Sequence, residues 1–305
     1  MNGSNIYQSI KKSTELKLAH KGKFNFSKDI LLFCTLRNEA IRMPFFIDFY
    51  RALGVQHFFF VDNDSDDGFL DLVQNEDDIT VYLAKGSYKD SNFGMDWLNY
   101  LLRKYGQDKW CITCDPDEFL IYPHIETLSI ESLIKELESE NSRSFYTPLI
   151  DMYSKEAQEE YKAGYNPLTF TPYFDKMNTF SIGPRGRVFY ENDTENIPNL
   201  NKYCLIKWDK SFNYIHSMHW ASPTYLNWVS GFRITGAMLH FKFLSTFKTK
   251  VKEELQRNEH FNDSSEYKKY ASQLDYMNFY DPLISEKYQN SLQLLTLGLM
   301  KSEKF

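Results

Sequence analysis

Ile30-Leu31-Leu32-Phe33-Cys34-Thr35-Leu36-Arg37-Asn38-Glu39 opens as an apolar run of strand length and stops at a polar cluster. Over about 39–53, Ile41, Phe45, Phe46, Phe49 and Leu53 then recur at helical spacing, and Gly54 supplies the stop. His57-Phe58-Phe59-Phe60-Val61 is the next apolar run, and it too ends in acid: Asp62, Asn63, Asp64, Ser65, Asp66, Asp67, Gly68. A short helix over about 68–74 leads into a third strand, Ile79-Thr80-Val81-Tyr82. Strands alternating with helices predict an α/β fold built on a mostly parallel, Rossmann-like sheet flanked by helices. Ligands of such sheets bind beyond the carboxyl ends of the strands, which makes Arg37, Asn38, Glu39, Asp62 and Asp64 candidates for a binding rim.

A helix over about 92–105, with Trp97, Leu98, Leu101 and Leu102 as its inner stripe, delivers the chain into a third strand end of the same kind. There the run Trp110-Cys111-Ile112-Thr113-Cys114 stops at Asp115-Pro116-Asp117-Glu118, and a second short apolar run follows. Proline fixes φ and donates to no ladder, so Asp115 and Asp117 are displayed at a strand terminus. Such a tripeptide serves widely as a solvated acidic turn. Two carboxylates so close also suit a hard divalent ion, Mg²⁺ or Mn²⁺, completed by phosphate oxygens and water. Neither a Gly-x-Gly-x-x-Gly fingerprint nor a Walker lysine loop is present, so a phosphate bound here depends on a metal and on cationic side chains.

Beyond Pro123 the spacing predicts a helix over about 130–138 and one strand over 144–150 that runs into Asp151. From there to about 230 the chain is irregular and rich in Pro, Gly, Asn and Tyr, as loops carrying a site are. Within it lie Gly183-Pro184-Arg185-Gly186-Arg187, read as a turn that presents two guanidinium groups to an anion, and His216-Ser217-Met218-His219. Residues 236–243 form a last strand with His240 embedded and Lys242 on the same face. The division that follows is a polar N-terminal arm at 1–28, a catalytic domain at 29–245 and a helical C-terminal extension at 246–305.

The chain has 305 residues, 42% hydrophobic and 25% charged, with a formal net charge of −6, which argues against a nucleic-acid partner held through its phosphates. Aromatic content is high at 17%, a hint of flat surfaces for sugars or bases. Cys34, Cys111, Cys114 and Cys204 are read as small core residues of a reducing compartment. Cys111 and Cys114 stand i, i+3 in a strand and point to opposite faces, which argues against a shared zinc or a disulfide. No stretch has the length of a membrane span or the apolar core of a signal peptide, so the expectation is a cytoplasmic protein.

Taken in order, Cys34-Thr35-Leu36-Arg37-Asn38-Glu39-Ala40, Phe60-Val61-Asp62-Asn63-Asp64-Ser65-Asp66-Asp67-Gly68, Asp115-Pro116-Asp117-Glu118, Gly183-Pro184-Arg185-Gly186-Arg187 and Leu239-His240-Phe241-Lys242 resemble the family-2-like glycosyltransferases of bacterial polysaccharide loci. The resemblance covers roughly 30–300. It implies a GT-A-type fold, a nucleotide-sugar donor such as a UDP-sugar, and Mn²⁺ or Mg²⁺ at Asp115 and Asp117 with His240 as a further ligand. It also implies a glycan or glycolipid acceptor, inversion at the anomeric carbon, and work in capsule or lipopolysaccharide assembly at the inner face of the cytoplasmic membrane. Asn38, Glu39 and Asp62 would then cradle base and ribose, while Arg185, Arg187 and Lys242 would face the diphosphate. An inverting transfer needs a general base, for which Asp151 comes first and His219 second. A metal-dependent hydrolase using His216, His219 and His240, and a non-catalytic carbohydrate-binding protein on a transferase fold, are the rival readings.

Overall fold

The structure, a computed structural model, describes residues 2–27, 29–156, 159–178, 183–190, 197–215, 217–228, 233–259, 261–274 and 277–303, with 2–4 and 261–263 as backbone alone. The chain forms two compact units whose boundaries interleave. The first holds Met1–Pro116, Leu128–Tyr146 and Tyr203–Phe232; the second holds Asp117–Thr127, Thr147–Lys202 and Arg233–Phe305.

The first unit is a seven-stranded sheet in the order Leu16–His20, Ile79–Ala84, His57–Asp62, Ile30–Leu36, Trp110–Thr113, Leu205–Lys207, Ser144–Phe145. Its four central strands are parallel, as unbroken apolar runs demand, because such strands are buried on both faces. Alternation along His57–Asp62 shows helices on both sides. Phe59 stacks on Phe33 at 4.9 Å and joins Leu98 and Leu101 of helix Met95–Tyr105, while Phe60 meets Phe46 of helix Met43–Leu53 at 6.4 Å. The latter helix ends where Gly54 takes φ 114°, open to glycine and unfavourable for other residues. All four cysteines are buried, and none of them is in a disulfide.

The second unit is built on a three-stranded sheet in the order Glu118–Ile121, Ala237–His240, Leu149–Asp151, the first pair antiparallel and the second parallel. An aromatic core of Phe189, Phe243, Phe247, Tyr267, Tyr270 and Phe279 gathers helices Pro184–Phe189, Phe247–Arg257 and Phe261–Gln273.

Three expectations are revised. The N-terminal segment is not an arm alone: after helix Asn2–Lys12, Leu16–His20 pairs antiparallel with Ile79–Ala84. As an edge strand it is mostly exposed, which is why its composition looked polar. The single strand over 144–150 is two strands, because Pro148 has no N–H for a ladder; Ser144–Phe145 pairs with Leu205–Lys207 and Leu149–Asp151 with Ala237–His240. Finally, Gly183–Arg187 is not a loop but the start of helix Pro184–Phe189, with Pro184 in the first turn, where a missing N–H costs nothing.

Asp96, in the first turn of Met95–Tyr105, is 8% exposed, and burial raises its carboxyl to about 6. A raised acid binds more protons folded than unfolded, so this residue makes stability fall as pH rises from about 4 to 6. Asp96→Asn is therefore expected to stabilise the protein by roughly 1 to 3 kcal/mol at pH 7 and by little at pH 4. Urea unfolding of both chains at the two pH values checks it, and an equal gain at both would contradict the assignment.

Candidate metal centre

The register of the small sheet sets the site. Glu118 is the antiparallel partner of His240, and Asp151 is its parallel partner, so the three side chains form a row across one face. Asp117 stands just before its strand and is fixed by Phe241 N–H, which donates to its carbonyl at 2.8 Å. His240 Nδ1 donates to Asp151 Oδ1 at 2.6 Å, and Nε2 lies 3.4 Å from Asp117 Oδ2. Each acid at the ends of the row has its own base. Lys202 Nζ lies 2.6 Å from Glu118 Oε1, and Arg185 Nε donates to Asp151 Oδ2 at 2.7 Å. Arg185 continues to Glu266 at 3.1 Å, and Lys242 reaches the same Glu266 oxygen at 3.6 Å. Tyr270 also donates to that oxygen.

These charges are buried, so desolvation competes with pairing throughout. Burial alone would lower the His240 imidazolium, but Asp117 and Asp151 outweigh it and raise it to about 9. Burial alone would raise Asp151, yet Arg185 and His240 hold its carboxyl below the usual range. Arg185 is in turn held charged by Asp151 despite its burial.

The donor set fits a divalent ion. Among the described residues Asp117, Glu118 and His240 offer two carboxylate oxygens and an imidazole nitrogen within 4.8 Å of one another. The 3.4 Å between Nε2 and Asp117 Oδ2 is long for a strong hydrogen bond. It is close to the roughly 3 Å between neighbouring ligands of an octahedral ion with bonds near 2.1 Å. Asp151 behind Nδ1 is the second partner that metal-ligating histidines use to fix their tautomer and ring plane.

The structure thus brings Asp117, Asp151, Arg185, His240 and Lys242 into one chain of contacts. Asp115 belongs to the first unit. Arg187 lies apart from the row, pairing with Asp175 at 3.1 Å beside Tyr153, whose hydroxyl donates to Asp175 at 2.5 Å. His219 is half-buried on strand Ser217–Ser222 in the first unit, and His216 lies outside the described residues. Glu118, Lys202 and Glu266 join the site with no expectation from the sequence. Glu118 carried a signal as the third acid of its run, whereas nothing in the neighbourhood of Lys202 or Glu266 distinguishes them.

In the first unit the ends of two adjacent parallel strands are laced together. Arg37 Nη1 donates to the carbonyls of Asn63 and Asp64, both at 2.7 Å, while Asn38 N–H donates to Ser65 Oγ at 3.0 Å. Asp66 N–H donates to Asn38 Oδ1, and Ser65 N–H to Asp62 Oδ1. Asn38 and Asp64 take φ 51° and 62°, a left-handed backbone that short polar side chains tolerate. Glu39 pairs with Arg42 at 2.8 Å. Burial raises the Asp62 carboxyl.

No family model and no curated protein matches the chain. Among solved structures it is similar to HddC from Yersinia pseudotuberculosis, at 10% identity over 43% of this chain, with a TM-score of 0.27. A mannosyltransferase from Pyrobaculum calidifontis, in complex with GDP-Man and Mn²⁺, is 12% identical over 51% of this chain at a TM-score of 0.30. A mannosyl-3-phosphoglycerate synthase from Rubrobacter xylanophilus is 17% identical over 52% at 0.29. The match spans 64%, 43% and 48% of those three chains, respectively.

Proposed function

We propose that this chain is a metal-dependent glycosyltransferase of GT-A type that moves a sugar from a nucleoside-diphosphate donor to a hydroxyl of a glycan or glycolipid acceptor, with inversion. The observation that carries the reading is the Asp117–His240 pair with Asp151 locked behind the imidazole. When bound, Mn²⁺ or Mg²⁺ supplies Lewis acidity toward the departing diphosphate. Asp117 and His240 would hold it, and Asp151 would keep the His240 ring in the orientation that presents Nε2. Asp115 keeps the role of second carboxylate on the sequence motif alone. Arg185, whose charge is spent on Asp151 and Glu266, is read as a support for the Asp151–His240 pair, and Lys242 is kept as the cation for the leaving diphosphate. Arg187 is read as a support for the Asp175–Tyr153 pair. Asp62, Asn38, Arg37, Glu39 and Asp64 form the reading's nucleotide end, with a UDP-sugar as the donor to try first.

Asp151 is not assigned as general base. Its side chain is wholly buried, both oxygens are engaged, and its carboxyl is held acidic, whereas a base needs a reachable lone pair and a pKa nearer the working pH. His219 is the candidate that remains. A hydrolase built on three histidines receives no support from the metal-capable group among the described residues, which contains one. Surface polysaccharide assembly at the inner membrane face is the process this activity would serve; no helix among the described residues is long and apolar enough to cross a membrane.

Incubation with UDP-sugars is expected to give slow donor hydrolysis that EDTA abolishes and Mn²⁺ restores; turnover untouched by EDTA would overturn the metal reading. At the nucleotide end, Asp62→Ala is expected to weaken binding of free UDP by about 1 to 3 kcal/mol, the usual loss when a buried polar partner goes. Calorimetry beside a melt reads this, and an unchanged affinity would remove Asp62 from the donor site.

A further inference from the structure

We infer that Lys202 is a built-in counter-cation of the metal centre, which keeps Glu118 out of the ion's coordination and thereby sets how tightly the site takes a divalent metal. The inference rests on the metal reading above. Glu118 and Lys202 are 1% and 2% exposed, and Nζ lies 2.6 Å from Oε1, a close ion pair in a poorly solvated interior. The backbone fixes it there: Thr147 donates to the Lys202 carbonyl from N at 2.9 Å and from Oγ1 at 3.3 Å, two residues before the strand that carries Asp151. Across the row the order is ammonium, carboxylate, imidazole, carboxylate, guanidinium, from Lys202 through Glu118, His240 and Asp151 to Arg185.

Glu118 is within ligand range of Asp117 and His240. A carboxylate that neutralises a buried ammonium has little negative charge left for an ion, and an ion beside that ammonium meets a like charge in a poorly screened interior. Asp117 and His240, with Asp115 as the motif has it, would then be the residues that hold the ion, and it would stay exchangeable. Lys202 is thus a positioning residue that acts through Glu118.

The test measures Mn²⁺ binding by the loss of the free-ion electron paramagnetic resonance signal, with a thermal melt of each protein, and needs no turnover. Lys202→Met removes the charge and keeps the length; it is expected to bind Mn²⁺ at least tenfold more tightly than wild type, because Glu118 becomes available. The double variant Glu118→Gln/Lys202→Met replaces the pair by neutral isosteres and is expected to return to within threefold of wild type. A folded Lys202→Met with unchanged or weaker affinity, beside a wild type that binds, overturns the inference alone. A double variant more than tenfold weaker than wild type also overturns it, since Glu118 would then be a working ligand. If Lys202→Met does not fold, the double variant decides. Absence of Mn²⁺ binding in every protein sinks the metal reading together with this inference.

Discussion

Asp117→Asn is expected to lower metal-dependent transfer by about a hundred- to a thousandfold in a protein that still folds, with a modest fall in melting temperature from the lost pairing with His240. The carboxylate sits at the entrance of its strand and is 21% exposed, so its loss disturbs little packing, whereas on the proposed reading it would hold the ion together with His240. The asparagine keeps the shape and one oxygen but forfeits the charge that a hard cation needs. Raising Mn²⁺ should therefore recover part of the activity, and the metal requirement should shift before the maximal rate does. His240→Ala is expected to show the same shift without such recovery, since no donor remains at Nε2. Activity titrated against Mn²⁺ for both variants and wild type, beside a melt of each, checks this. Full activity of Asp117→Asn at the wild-type metal concentration would place the metal elsewhere.

The parts of this protein that were legible in its sequence are those governed by local periodicity. Ile30–Leu36, His57–Asp62 and Trp110–Thr113 declared themselves because strands buried on both faces must be apolar throughout, and Met43–Leu53 and Met95–Tyr105 because one face of a helix must be. Leu16–His20 and Ser285–Lys287 escape such a reading because short strands without a single buried residue carry no apolar pattern. In the site, Asp117 and His240 were marked by abrupt polarity inside or beside apolar runs. What could not be read was their company. Asp151 reaches His240 only because Leu149–Asp151 lies parallel to Ala237–His240, a pairing between segments far apart in sequence, so an acid just past a strand looked like a base when its place is behind the ring. Lys202 shows the same limit more sharply: a lysine in an irregular segment reads as solvated until the fold buries it on Glu118.

Asp151→Ala is expected to cost about 3 to 5 kcal/mol of stability, the usual consequence of removing one partner from a buried ion pair. The side chain is wholly buried and lies between Arg185 Nε and His240 Nδ1, so alanine leaves a guanidinium that is itself only 6% exposed facing an empty space. Arg185 cannot shed its proton to escape, and its Nη2 is already buried without a partner. Asp151→Asn should cost less: its oxygen can accept from one neighbour, but its amide must then meet the other's N–H. Removing both charges in Asp151→Ala/Arg185→Met should recover much of the loss, since the larger penalty lies in the unpaired guanidinium rather than in the lost attraction. Metal binding separates this from a purely structural role. Without the carboxylate behind Nδ1 the imidazole loses its fixed tautomer, and Mn²⁺ affinity should fall roughly 10- to 100-fold in all three variants, including the double variant whose stability has returned. Denaturant unfolding and Mn²⁺ titration of the three proteins supply both numbers. A double variant that regains stability and full metal affinity together would show that Asp151 serves the fold alone and leaves the orientation of His240 to other groups.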